Sequence, residues 1–241
     1  MSYDGGKGQA GVFQRIINQM PPHDVYIEGC LGAGAVLRAK KPAAWSIGVE
    51  LDSEVLSGWQ GCNIESLSLV NADVITWLRD NLSKMQPSML IYLDPPYLME
   101  TRRSQRPLYR CEMTNEQHLD LLAIARSLPC KVMISGYWSQ MYGDMLKGWR
   151  AINFQAMTRG GQPATEWLWM NFAEPTALHD YRYVGENFRE RERVKKKINR
   201  WKGKLERMPA LERQALLAAI AEFEEGREPS GCNTTSGDAA R

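Results

Sequence analysis

The stretch Ser88 to Leu93 (SMLIYL) is a continuous apolar run that stops at Asp94-Pro95-Pro96-Tyr97. A strand with this pattern is buried on both faces, as happens in parallel sheets covered by helices. The segments around it fit that frame. Gly8 to Met20 has apolar residues at helical spacing and ends at Pro21-Pro22. Asp24 to Glu28 reads as a short strand entering a Gly-rich turn, and a helix opens over Ala35 to Lys40. Trp45 to Leu51 is the next strand, a helix begins at Ser53, and Ser68 to Ala72 is a third strand before a helix near Val74 to Leu82. Thr114-x-x-Gln117 reads as a capping box opening a helix to Ser127, Lys131 to Ser135 as a strand and Gly136 to Leu146 as a helix. Ala151 to Met157 and Thr165 to Phe172, joined by a Gly-rich turn, read as an antiparallel hairpin at one edge. Alternating strands and helices predict a Rossmann-like α/β sheet with helices on both faces.

Composition enters where the sheet ends. Apolar residues make up 44% of the 241, enough for a sizeable core over residues 1–175. After Pro175 the chain turns basic and then amphipathic, which predicts a helical extension over 176–225. Residues 226–241 are poor in apolar side chains and read as a disordered tail. The formal net charge is only +2, so a nucleic-acid site has to come from local clustering. Five scattered cysteines, no apolar leader and no span-length apolar segment predict a soluble cytoplasmic protein with reduced thiols. His23, His118 and His179 lack metal-ligand spacing, so no metal is expected. Cys130 reads as a buried small apolar residue, and Trp138, Trp149, Trp167 and Trp169 read as core.

Three features carry chemistry. The turn Glu28-Gly29-Cys30-Leu31-Gly32-Ala33-Gly34 lets backbone approach a ligand at a strand's carboxyl end. A dinucleotide site asks for a third glycine where Leu37 stands, which weakens that reading. Glu50, 18 residues after Gly32 and at the end of the next strand, can accept both hydroxyls of a ribose. Asp94-Pro95-Pro96-Tyr97 presents a purely accepting surface, because the prolines contribute no N–H. An exocyclic amine on a ring needs such a surface. Its lone pair is delocalised, and accepting both hydrogens, on the Asp94 carboxylate and the Pro95 carbonyl, frees the pair to attack. Tyr97 offers a flat face for an extruded base.

From Tyr3 to Phe172 the chain resembles the Dam-type DNA adenine-N6 methyltransferases, including small phage-encoded members, through Tyr3-x-Gly5-Gly6-Lys7, PPHDVYIEGCLGAGAVL, NADVITWL, DPPY and TEWLWMNF. The resemblance implies a class I methyltransferase sheet, S-adenosylmethionine as cofactor and adenine N6 in DNA as target. It implies that Tyr3, Gly6 and Lys7 hold the cofactor's methionine part. It places Glu28, Gly32, Ala33, Gly34, Glu50, Leu51, Asp73, Val74 and Asp94 around the rest of the cofactor, with Asp94, Pro95, Pro96 and Tyr97 as the catalytic set. The later motifs are implied to be mainly structural. Two departures stand out: Gly29-Cys30 replaces the family's usual Pro-Phe, and the roughly twenty residues between Asp73 and Asp94 leave no room for a target-recognition domain.

The loop Leu98 to Met113 carries Arg102, Arg103, Arg106 and Arg110 beside the proposed crevice, and with Arg159 these read as phosphate contacts. Adenine in ribosomal RNA is the nearest alternative substrate. A non-catalytic nucleic-acid-binding module on a methyltransferase fold is the alternative from another class.

Overall fold

A computed structural model describes residues 7–8, 11–102, 107–157 and 162–226. Seven strands form one sheet: β1 (Val25–Gly29), β2 (Trp45–Glu50), β3 (Leu67–Asn71), β4 (Met89–Leu93), β5 (Lys131–Gly136), β6 (Arg150–Met157) and β7 (Pro163–Met170). Their order is β3-β2-β1-β4-β5-β7-β6, with β1 to β5 paired in parallel and β7 antiparallel to both β5 and β6. This is the expected Rossmann-like sheet with a terminal antiparallel hairpin. Strand order reverses between β1 and β4, which pair in the register Gly29 with Leu93. A crevice outside the carboxyl ends of the strands at such a switch point is where open α/β sheets bind ligands.

The helices are α1 (Val12–Ile17), α2 (Ala35–Ala39), α3 (Ser53–Ser57), α4 (Val74–Asp80), α5 (Asn115–Ser127), α6 (Gln140–Met145), α7 (Phe188–Arg207) and α8 (Ala210–Glu225). Burial on both faces gives β4 its apolar run. Ile91 and Leu93 join the core with α4 and α5, whereas Leu90 and Tyr92 join the core with α1 and α2. Local caps set the helix starts: the Thr114 hydroxyl accepts from the Gln117 amide and the Gln117 side chain accepts from the Thr114 amide, closing the expected box. Asp52, Asp73 and Ser139 cap α3, α4 and α6 in the same way.

Two elements are shorter than their sequence pattern. α1 starts only at Val12, after Gly11 in the left-handed region (φ 99°), and ends at Ile17, so apolar spacing over-reads both ends. The helix expected over Gly136 to Leu146 is α6 alone, because β5 keeps Gly136 and the chain stays extended up to the Ser139 cap. Trp138 is 52% exposed rather than core, whereas Trp169 is buried.

The chain divides into two compact units, Met1–Phe188 and Arg189–Arg241. The segment after Pro175 still belongs to the first. His179 donates its amide to the Met20 carbonyl, and the Asp180 carboxylate accepts from the Lys41 amide and the Arg182 guanidinium. The second unit holds α7 from Arg189 onward and α8, neither of which buries a side chain. Residues 227–241, where the tail was expected, lie outside the described residues. Among the described residues, no helix is long and apolar enough to cross a membrane.

Candidate active site

The Gly-rich turn after β1 is held by residues far from it in sequence. Gly29 packs so closely that a Cβ would lie 2.7 Å from both Leu93 and Val74, which accounts for glycine at this position. Gly34 has φ 60°, and a Cβ there would collide with the Trp59 ring. Trp59 braces the turn further by donating its indole N–H to the Gly32 carbonyl at 2.9 Å. From β2, Glu50 reaches back and accepts the Gly32 amide on Oε2 at 2.7 Å and the Asp52 amide on Oε1 at 3.0 Å. Glu50 therefore shapes the turn as well as facing the cavity. Each of its oxygens keeps a lone pair able to accept a further donor.

A cavity of about 830 Å³ opens between this turn and the loop after β4. Gly32, Ala33, Glu50, Leu51, Asp73, Val74 and Asp94, all expected around a cofactor, line it. Asp73 Oδ1 accepts the Thr76 amide and hydroxyl, so the α4 cap fixes the carboxylate at the cavity wall. Gly34 lines a small neighbouring recess with Lys7 and Glu28. Glu28 is buried and accepts the Tyr26 hydroxyl at 2.7 Å. Burial pushes its carboxyl up to about 8, with Asp94 adding to the rise.

Asp94 stands at the end of β4. Its Oδ1 accepts the Ser135 hydroxyl at 2.7 Å and pairs with the Lys7 ammonium at 2.7 Å. Among the described residues its Oδ2 has no hydrogen-bond partner, and this is the oxygen left to serve a ligand. The Tyr97 ring lies 4.5 Å from the Tyr137 ring, and its hydroxyl accepts from Lys7. The Lys7 ammonium contacts Asp94, Tyr97 and Glu166, the last at 2.9 Å, and Lys7 also lines the small recess beside the Gly-rich turn. Burial alone would lower the Lys7 pKa, but Asp94 and Glu166 outweigh burial and hold it well above the usual value.

In the arginine loop the Arg102 guanidinium is buried and makes a two-pronged pair with Glu112, at 2.8 and 2.7 Å, which folds the loop. The same carboxylate accepts the Leu108 and Tyr109 amides, which brings Tyr109 and Arg110 over the cavity mouth. Arg110 is exposed and pairs with Asp52 and Glu54. Tyr3, Gly6, Arg103, Arg106 and Arg159 lie outside the described residues.

No protein-family model and no curated protein matches the chain. Solved structures that resemble it include a SAM-dependent methyltransferase from Agrobacterium tumefaciens, 12% identical, covering 66% of this chain and 60% of that one at a TM-score of 0.44. A SAM-dependent methyltransferase from Archaeoglobus fulgidus is 12% identical over 66% of this chain and 90% of that one, at a TM-score of 0.46. TrmN from Thermus thermophilus is 12% identical over 66% of this chain and 46% of that one, at a TM-score of 0.44. The chain thus spans 60% of the length of the first and 46% of the last. These are likenesses of backbone path, and the chemistry rests on the side chains of the site.

Sequence reading missed Glu166, Ser135, Trp59 and Glu112. Glu166 had a signal. It lies in phase with Leu168 and Met170 on β7, and a lone acid on an apolar face of a strand needs a partner.

Proposed function

We propose that this chain transfers a methyl group from S-adenosylmethionine to N6 of adenine, with DNA as the polymer. The observation that carries the reading is the Asp94 carboxylate at the switch point of the sheet, with Oδ1 fixed by Ser135 and Lys7 and Oδ2 left to accept. The cofactor's fit is supported by the cavity's volume, which lies within the usual range of about 300–1,000 Å³ for ligand sites. Its carboxylates, Glu50, Asp52 and Asp73, match the hydroxyls and amine of an adenosine. The bound cofactor supplies an electrophilic methyl on a sulfonium. The chain's own residues do the rest: Asp94 Oδ2 and the Pro95 carbonyl accept the amine's hydrogens, Tyr97 stacks on the base, and the loop over Tyr109 excludes water. Asp94 then takes the proton that the methylated nitrogen releases.

The test is incubation with S-adenosylmethionine labelled in its methyl group and either DNA or RNA, followed by nucleoside analysis. Labelled N6-methyladenine from DNA is the expected product. N6-methyladenine from RNA alone would keep the chemistry and replace the polymer. Label in cytosine, or in neither polymer, would reject the reading. Asp94→Ala should abolish transfer and leave S-adenosylhomocysteine binding, because the carboxylate acts on the amine.

A further inference from the structure

Lys7 poses an electrostatic problem for methyl transfer. The donor is a sulfonium and the acceptor nitrogen turns cationic as it attacks, yet a buried ammonium lies 2.7 Å from the carboxylate that serves that nitrogen. With Asp94 as its only partner, Lys7 would cancel the one negative charge the reaction needs. The structure supplies a second carboxylate. Glu166 Oε1 is 2.9 Å from Lys7 Nζ, and both side chains are almost fully buried. Glu166 comes from β7, which the antiparallel hairpin places next to β5, whose Ser135 donates to Asp94. Its carboxylate also takes a hydrogen bond from the Tyr97 hydroxyl, so Glu166 holds both groups that meet at Lys7 Nζ.

We propose that Glu166 is a positioning residue for this transfer. It takes up the Lys7 charge, so that Lys7, Asp94 and Glu166 together carry one surplus negative charge toward the reacting centre. The inference rests on the methyl-transfer reading. In that step the S–CH3 bond breaks with its electron pair staying on sulfur. The amine's lone pair forms the N–CH3 bond, and the proton released from nitrogen goes to Asp94. Glu166 forms no bond to substrate; it keeps Lys7 from opposing the cation. Charges buried as deeply as those of Lys7 and Glu166 are screened less than exposed ones, so their balance is felt at the reacting centre.

The experiment uses the full chain, S-adenosylmethionine and an adenine-containing DNA duplex. It compares single-turnover rates of the unaltered protein, Glu166→Gln and Lys7→Met/Glu166→Gln across pH. Glu166→Gln should slow transfer about tenfold or more with S-adenosylhomocysteine affinity within about twofold. It should also lose the part of the fall in rate in acid that comes from protonating Glu166. The double variant, freed of the unbalanced ammonium, should be faster than Glu166→Gln alone, whereas a purely structural loss would make it slower. A Glu166→Gln rate equal to the unaltered rate, or a double variant slower than the single one, overturns the proposal. If Glu166→Gln does not fold, Glu166→Asp takes its place. It should keep the acid limb with a reduced rate, and loss of the limb there overturns the proposal. If the unaltered protein methylates no adenine, the reaction reading fails and the pairing is still tested. NMR titration of the labelled Lys7 ammonium should move downward in Glu166→Gln, and an unmoved titration rejects it.

Discussion

Replacing Glu28 with Gln should make the protein more stable at neutral pH and a poorer cofactor binder. Glu28 is 3% exposed, and burial raises its carboxyl from 4.5 to about 8 against the opposing hydrogen bonds of Tyr26 and the Leu37 amide. The native fold therefore holds the proton more tightly than the unfolded chain does. Below the unfolded value both states are protonated and the site costs nothing. As pH rises the unfolded chain ionises first, and each unit removes about 1.4 kcal/mol of stability until the folded carboxyl titrates near 8. At pH 7 the accumulated cost is on the order of 3 kcal/mol. Glutamine carries no such cost. Its carbonyl keeps the Tyr26 contact, while its extra N–H donors offset part of the gain, leaving about 1–3 kcal/mol. Thermal unfolding followed by circular dichroism at pH 5 and pH 8 reads this directly. The variant's advantage should be small in acid and several degrees at pH 8, at roughly 2–4 °C per kcal/mol for a domain of this size. An equal difference at the two pH values, or a variant less stable at pH 8, would refute the reasoning. Calorimetric titration should also show weaker S-adenosylhomocysteine binding, because a neutral amide cannot ionise toward the ligand's ammonium.

Glu50→Ala should weaken S-adenosylhomocysteine binding by roughly 1.5–3 kcal/mol, since both the ribose and the Gly32 amide lose an acceptor; unchanged affinity in calorimetry would move the ribose contact to Asp52. Arg102→Ala should cost roughly 3 kcal/mol of stability by stranding Glu112, and leave the salt dependence of DNA binding unaltered; a shallower salt slope would put Arg102 on a phosphate after all. Gly34→Ala should destabilise by about 1–2 kcal/mol through backbone strain alone, and more through the Trp59 collision, measured by urea unfolding. Methylation of long random-sequence DNA, read by sequencing, should show adenine with one or two preferred neighbours, because α4 and β4 fill the stretch from Asp73 to Asp94; a strict site of four or more base pairs would refute this.

The elements were legible wherever one local pattern decided them. The apolar run before Asp94 announced β4, and Thr114 with Gln117 announced α5 to within a residue. Element ends were less legible where apolar periodicity continued past a backbone constraint, as at Gly11 and Gly136. Asp94, Glu50 and the Gly-rich turn could be named as candidates because each sits in a short local pattern at the end of its own strand, and the fold brings them to one cavity wall. Partners that arrive through tertiary folding could not. Nothing near Lys7 in the sequence says that residue 166 will face it, and nothing near Arg102 marks Glu112 as its counter-ion rather than a solvated acid.

Synthesis delivers β6 before β7, yet the finished sheet places β7 against β5 and leaves β6 outside. A sheet in which β6 sat beside β5 would have the wrong strand in the inner seat. By its composition β6 is unsuited to that seat. It buries only Phe154 and carries Arg150, Asn153 and Gln155, so it cannot fill a position covered on both faces. β7, with Leu168, Trp169 and Met170 buried, can. The polarity of β6 thus suits it to the outer edge and leaves the inner seat beside β5 to the strand that brings Glu166.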